Sequence, residues 1–581
     1  MARFEVWAPH AERVALAWRD RRTPMTRGER GWWTIDVPDA TDDEPYAFVL
    51  DDGDELPDPR APRLPDGVHA RARRVRHDAF EWADDGFRAP PLAGAVLYDL
   101  HVGTFTPAGT FDGAIERLDH LRTLGVTHVE LLPVNAFDGT HGWGYDGVGL
   151  YAPFEPYGGP DGLKRLVDAC HARGLGVVLD VVYNHLGPSG NYLGRFGPYF
   201  TDHYRTPWGD AVNYDGRGSD EVRRFVIDNA VGWVRDYHVD ALRLDAVHAI
   251  YDFGAQHLLE ELTREVHAAG AALGKHVDVI AESDLNDPRL LNATQAGGYG
   301  LDAQWSDDFH HALHSVLTGE RHGYYEDFGS IAELARVMER GYAYDGRYSP
   351  HRGRRHGRRP VDLDGTRFVV FLQNHDQVGN RARGERIAHL VSPARARVGA
   401  ALLLTSPFVP MLFQGEEWGA TAPFQYFTAH VDEALAEAVR AGRQREFAAF
   451  AWQGEVPDPQ APETFARSKL DWSELGREPH ASLLRWHRDL IALRRRVADL
   501  ADPRLDRTRV TFDEDARWLV VERGAVAVAA NLGSSPQAVP VRAPRRRVLL
   551  ASDGAARVEG DRVRLAPDSV AILSAPHVDG D

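Results

Sequence analysis

From residue 95 onward the sequence repeats one alternation: a short, nearly all-apolar run followed by a segment of helical periodicity. The runs are AVLYDL (95–100), THVELLPV (127–134), LGVVLDVVYNH (175–185), VDALRLD (239–245), VDVIAE (277–282), LDAQW (301–305), RFVVFLQNHD (367–376) and PFVPMLF (407–413). Strands that are apolar on both faces, with helices between them, pair in parallel and are covered by those helices. Eight such strands over about 320 residues predict a (β/α)8 TIM barrel, with an open doubly wound sheet as the alternative. Residues 91–500 are assigned to this unit.

The flanks follow a different period. In residues 1–90, Phe4/Val6, Val14/Leu16/Trp18, Trp33/Ile35/Val37 and Tyr46/Phe48/Leu50 alternate with period two and are separated by Gly, Asp and Pro turns. Residues 501–581 repeat the pattern with Trp518/Val520, Val526/Val528, Val563/Leu565 and Val570/Ile572. Each flank reads as a β-sandwich, so the fold class is multidomain α/β: a central barrel between N-terminal and C-terminal β-sandwich domains. Within the barrel, residues 184–238 open with the Gly-, Pro- and aromatic-rich NHLGPSGNYLGRFGPYF and read as a loop-rich excursion. The arginine-rich RYSPHRGRRHGRRP (347–360) reads as a surface loop.

Composition narrows the partners. The 67 Lys+Arg against 86 Asp+Glu give a net charge of −19, which argues against a nucleic-acid binder that must neutralise phosphates. It fits a neutral ligand. The lone Cys170 lies on an apolar helical stripe with Leu163, Leu166 and Val167, so it is expected to be buried. Neither a disulfide nor a thiolate zinc cluster can be built from it. AALLLTSPFVPMLF (400–413) is too short to span a bilayer, and the N-terminus lacks an apolar targeting core. A cytoplasmic location is expected, with no membrane partner.

Polar residues end several of the apolar strands, and in a barrel these ends surround one pocket. They are Asp180, Asn184 and His185; Arg243, Asp245 and His248; Glu282; His375, Asp376 and Gln377; and, in HGWGYDGVG, Trp143, Tyr145 and Asp146. Alternation along 239–245 puts Ala241, Arg243 and Asp245 on one face, with Arg243 and Asp245 about 7 Å apart along the strand. An arginine there can keep Asp245 ionised and orient it as a nucleophile, although a structural ion pair would look the same. Three carboxyl groups in one mouth repel one another. A pair of acids with separated pKa values is what glycosidic-bond cleavage requires.

DVVYNH (180–185), ALRLDAVH (241–248), AESD (281–284) and QNHDQ (373–377) resemble the four conserved segments of the α-amylase superfamily, over about residues 90–500. The resemblance implies a retaining α-glucoside hydrolase on a (β/α)8 barrel. Asp245 would be its nucleophile, Glu282 its general acid/base, and Asp376 the third acid, which binds sugar. His185, Arg243 and His375 would be substrate-site residues, and Tyr145 the stacking tyrosine. Retention requires the two catalytic carboxyl groups to lie about 5–5.5 Å apart.

Within the superfamily, the segments LPVNAFDGTHGWGYDGVGLYAPFEPYGG and FLQNHDQVGNR are most similar to the malto-oligosyltrehalose trehalohydrolases, which implies release of trehalose from malto-oligosyltrehalose. Glycogen branching enzymes are the nearest alternative, but their WGYQ reads Trp143-Gly144-Tyr145-Asp146 here, and the lysine of the second segment is Val247. The resemblance also implies a separate trehalose-forming malto-oligosaccharide isomerase acting upstream. No cofactor and no metal are expected. Glu417, Phe424, Gln425 and Tyr426, after the eighth strand, are candidate walls of the leaving-group side, with Phe427 beside them.

Overall fold

The computed structural model describes residues 2–449, 456–542 and 546–575. The eight apolar runs pair in parallel, in chain order, and close into a barrel. Its strands are β1 (Leu97–Leu100), β2 (His128–Leu131), β3 (Gly176–Val181), β4 (Ala241–Leu244), β5 (Asp278–Ala281), β6 (Ala303–Trp305), β7 (Phe368–Phe371) and β8 (Val409–Phe413). The period-two rule sorts their side chains. Leu97, Val178, Ala241, Ile280, Trp305, Phe371 and Met411 fill the interior as an apolar layer. Two residues further along the same strands, on the same face, come Asp99, Asp180, Arg243 and Glu282. The barrel is thus plugged by hydrocarbon below and carries a charged layer above, at the end where active sites of such barrels lie.

The N-terminal region forms a three-stranded sheet built on Ala2–Trp7 and Trp32–Val37 and a four-stranded sheet built on Val14–Trp18 and Tyr46–Leu50. The C-terminal region forms a five-stranded and a three-stranded sheet. Val520, Ala529, Val539, Val563 and Leu573 make a shared apolar cluster across the two. The last residues of the C-terminal assignment, 576–581, lie outside the described residues. Cys170 is buried in the helix Gly159–His171. Among the described residues no helix is long and apolar enough to cross a membrane.

Two stretches depart from expectation. The excursion after β3 is loop-rich only in its first part, with a hairpin of Phe200–Thr206 and Gly209–Val212; Ser219–Asp236 is then an 18-residue helix. Val222, Phe225, Val226, Ala230 and Trp233 supply its buried stripe, a helical period masked by the Gly- and Pro-rich residues before it. The arginine-rich segment folds into a hairpin of Asp345–Ser349 and Arg354–Gly357. Two of its six arginines pair with acids: Arg347 with Glu333, and Arg352 with Asp284 at 2.8 Å. That second pair ties the hairpin to the loop after β5.

Candidate active site

Arg243 organises the mouth of the barrel. Fully buried, it donates from Nη1 to both oxygens of Asp180 (2.9 and 2.8 Å) and to Oδ1 of Asp245 (2.7 Å), while Nη2 stands 3.7 Å from Glu282 Oε2. Asp180 lies directly across the ladder from Arg243, β3 to β4, so the pleat alone brings them together. The guanidinium also lies over the Trp305 ring, 4.3 Å from its centroid. Asn184 Nδ2 donates to Asp245 Oδ2 at 2.7 Å and to its carbonyl at 2.8 Å. The turn after Asp245 puts Ala246 at φ 39°, ψ 51°, a left-handed conformation uncommon for a residue with a Cβ. There the Ala246 N–H points at Glu282 Oε2, 2.6 Å away. One guanidinium and one strained peptide thereby hold two carboxyl groups from adjacent strands.

The two carboxyl groups titrate apart. Burial pushes Asp245 up, but Arg243, His185 and the Asn184 amide outweigh it and hold the group below the usual carboxylate range. Burial also raises Glu282; Arg243 opposes, Asp245 adds to the rise, and the net direction is upward. The pair therefore supports one ionised and one protonated acid.

His375 sits in a second chain of contacts. Its Nδ1 lies 3.1 Å from Asp99 Oδ2, its Nε2 2.6 Å from the Tyr145 hydroxyl, and that hydroxyl donates to Asp180 Oδ2 at 2.6 Å. Burial disfavours its charge, but Asp376 and Asp99 outweigh burial and lift the imidazole to about 9. An imidazolium donating through both nitrogens fits this arrangement, with the Tyr145 oxygen accepting from Nε2–H. Asp376 follows on the capped turn after β7, with Nε2 of His375 3.6 Å from its Oδ2 and its own carboxyl part-exposed to the cleft. Across the mouth, His185 Nε2 contacts the Tyr145 carbonyl at 3.0 Å, and its ring stacks on Trp208, centroids 4.2 Å apart and 2° from parallel.

The expected outer residues divide. Tyr145 joins the site through His375 and Asp180, Asp146 is half-buried with Oδ2 3.9 Å from His430 Nε2, and Gln377 is half-buried with Nε2 3.4 Å from Asp307 Oδ1. His248 is exposed and edges a cavity of about 220 Å³ lined also by Tyr251, Phe253, Leu285, Arg289 and Tyr299. Trp143 is 5 % exposed, stacked on Phe424 and donating from Nε1 to the Gln425 carbonyl. A Cβ at Gly379 would stand 2.0 Å from the Trp143 ring, so this close packing requires glycine.

Phe424 and Glu417 are each 0 % exposed and do not line the cleft. Phe424 is wedged between Trp143 and Phe413. Glu417 turns to the helix side of the barrel wall, accepting from the Tyr98 hydroxyl (3.2 Å) and from His120 Nε2 (2.7 Å). Tyr98 neighbours Asp99 on β1 and so faces the opposite way. Gln425 is buried and donates from Nε2 to the Arg383 carbonyl. Tyr426 is capped by the Arg443 guanidinium, 4.7 Å from its ring centroid. APFQYF is therefore mostly packing behind the site; its short apolar pattern reads the same whether it faces ligand or core.

Comparison with known proteins assigns the family. Models for the catalytic domain of alpha amylase, carbohydrate-binding module 48 (isoamylase N-terminal domain) and a domain of unknown function (DUF3459) match residues 66–205, 1–65 and 503–572. The malto-oligosyltrehalose trehalohydrolase of Mycobacterium tuberculosis is 51% identical over 584 residues, 99% of each chain, and that of Arthrobacter ramosus 54% identical over 545 residues, 93% of this chain and 94% of the other. The chain belongs to the malto-oligosyltrehalose trehalohydrolase family. A crystal structure from Salmonella typhimurium, provisionally described as an alpha amylase, superposes with a TM-score of 0.90 at 38% identity, covering 99% of this chain and 97% of the other. A 1,4-alpha-glucan branching enzyme of Corynebacterium jeikeium stands further off, at 29% identity over 72% of this chain and 61% of its own.

Four features at the mouth carry no local sequence signal. Asp99 on β1 reaches His375, 276 positions away. Asp307, two residues past the end of β6, is pushed well above the usual carboxylate range by burial and then by Glu282, Asp284 and Asp376. Trp208, 49 % exposed, stacks on His185. Arg352 reaches Asp284 from the hairpin. Each is a long-range contact, visible only once the strands are ordered around the barrel.

Proposed function

We propose that this chain hydrolyses the α-1,4-glucosidic bond joining a maltodextrin to a terminal trehalose unit, with retention at the cleaved anomeric carbon. The observation that carries the reading is the pair of acids gathered on one guanidinium, Arg243 Nη1 2.7 Å from Asp245 Oδ1 and Nη2 3.7 Å from Glu282 Oε2, in a chain 51% identical over 99% of its length to a malto-oligosyltrehalose trehalohydrolase. Asp245 attacks C1 of the maltodextrin residue while Glu282 gives its proton to the departing O4 of trehalose. Glu282, now a carboxylate, takes a proton from water as that water opens the glycosyl ester, and the acid/base returns to its starting state.

Asp376 and the His375 imidazolium hold hydroxyls of the ring being cleaved, and His185 contacts the same sugar. Arg243 keeps Asp245 ionised through the cycle. Trehalose is recognised on the far side of Glu282, by His248 and the cavity beside it and by the hairpin tied to Asp284. A site built to pair the hydroxyls of the turned second glucose is left with buried unpaired groups by ordinary dextrin, and that penalty discriminates strongly.

The chain acts in the cytoplasm, where its lone Cys170 stays reduced, and it follows an isomerase that converts the reducing end of a maltodextrin to trehalose. Malto-oligosyltrehalose, maltoheptaose and amylose supplied separately test the reading. Free trehalose from the first, with slow turnover of the other two, is expected. New α-1,6 linkages from amylose with no trehalose released would replace it with glucan branching.

A further inference from the structure

Opposite the catalytic mouth, the N-terminal ends of β5 and β6 bring together four polar side chains that the proposed reaction does not use. His276 lies two residues before Asp278, the first residue of β5, and Asp302 immediately precedes β6. One donor atom from each of the three lies within 4.8 Å of the others. His276 Nε2 is 3.0 Å from Asp278 Oδ1 and 3.9 Å from Asp302 Oδ1. In a tetrahedral site with bonds of about 2.0–2.2 Å, neighbouring donors stand roughly 3.3 Å apart; the two histidine separations bracket that value, and the two aspartate donors lie within 4.8 Å of each other.

The carboxylate of Asp302 is also held from behind. Its second oxygen, Oδ2, accepts from His267 Nε2 at 2.8 Å and from the Val279 backbone N–H at 2.8 Å. His267 comes from the helix Leu258–Ala272 that precedes β5. Outer partners of this kind fix the direction of a ligating carboxylate and leave its free oxygen aimed at the ion. Exposure is graded as well: the His276 side chain is 66 % exposed while those of Asp278 and Asp302 are 13 % and 16 % exposed. An ion therefore has an open path in and finds its two negative ligands in a poorly hydrated wall.

We propose that His276, Asp278 and Asp302 form a binding site for a borderline divalent cation, Zn2+ or Ni2+ in character, with His267 orienting Asp302 and water completing the coordination. One imidazole with two carboxylates suits these ions, whereas Ca2+ and Mg2+ prefer oxygen alone. Binding exchanges the Nε2 proton of His276 for the metal. The ion joins the starts of β5 and β6 on the face of the barrel concerned with stability rather than catalysis. It is a structural clip, remote from Asp245 and Glu282.

Zn2+ titrated at pH 7.5 into the chelator-washed full chain, followed by calorimetry and by thermal unfolding, tests this. The parent should bind one equivalent of Zn2+ that His276→Gln and Asp302→Asn each lose or bind at least about tenfold more weakly, and Zn2+ should raise the melting temperature of the parent alone. His267→Gln should weaken the site less than either. Hydrolytic activity should be the same with and without Zn2+, so the outcome is independent of the proposed reaction. Anomalous scattering at the zinc edge from soaked crystals should give a peak at His276 Nε2. Equal Zn2+ uptake by the parent and His276→Gln, or no uptake by the parent, would overturn the proposal.

Discussion

Arg243 does for the active site what no single acid could: with one planar cation it fixes Asp180 and Asp245 and leans on Glu282. Asp245→Asn removes the nucleophile, and Glu282→Gln removes the proton donor. Both substitutions keep side-chain volume, so both variants should still fold. Glu282→Gln should lose about 10²–10⁴-fold in kcat, as expected for general acid/base catalysis, and Asp245→Asn at least as much. Either variant retaining half the parent rate on malto-oligosyltrehalose would refute these roles. Asp99 makes a subtler case, acting only through His375. Asp99→Asn deletes a negative charge 3.1 Å from Nδ1, so the imidazolium is left with Asp376 and should deprotonate at lower pH. We expect a kcat loss on the order of 10–100-fold from the loosened geometry, and a His375 imidazole titration, followed by NMR, displaced to lower pH. A merely structural role would lower stability and leave that titration in place.

At the scale of elements, the strands and their inward faces are readable because the barrel imposes period two on each run, which puts Arg243 and Asp245 on one face from the sequence alone. The elements that close over the mouth were not readable. The hairpins at 200–212 and 345–357 are short, polar and held by pairs such as Trp208 with His185 and Arg352 with Asp284. Their partners lie on other loops, and no local pattern encodes such a pairing. Glu417 and Phe424 failed as site residues for the complementary reason: a turn after β8 sends them behind the barrel wall, where an acid satisfied by Tyr98 and His120 has the same sequence as one facing a ligand. The Trp208 hairpin yields a prediction of its own. One face of the indole rests on His185 and the residue is half exposed, so Trp208→Ala should raise KM about 2- to 10-fold, the value of one aromatic stacking contact, with kcat changed less. Steady-state kinetics on malto-oligosyltrehalose check the split; a fall in kcat alone would assign Trp208 to positioning His185 instead.

For the whole molecule, the charged layer above an apolar plug fixes how activity answers to pH. Asp245 must be ionised, and its lowered pKa lets the acid limb begin below the ordinary carboxylate range. Glu282 must be protonated, and its raised pKa moves the alkaline limb above the ordinary glutamate value. The profile of kcat/KM should be a bell between the two. Asp376→Asn, which removes a negative neighbour of Glu282, should shift the alkaline limb down while reducing the rate. Chelation and dialysis should leave that rate untouched, because every step runs on side chains.

The central claim is that one ionised and one protonated acid cleave the bond to trehalose by two inversions. Proton NMR during the first moments of malto-oligosyltrehalose hydrolysis tests it most directly, by reading the anomeric signal of the released maltodextrin alongside that of free trehalose. Trehalose appearing together with the α-anomer, ahead of mutarotation, is the predicted result. A β-anomer first, or shortened dextrin with no trehalose, would contradict it.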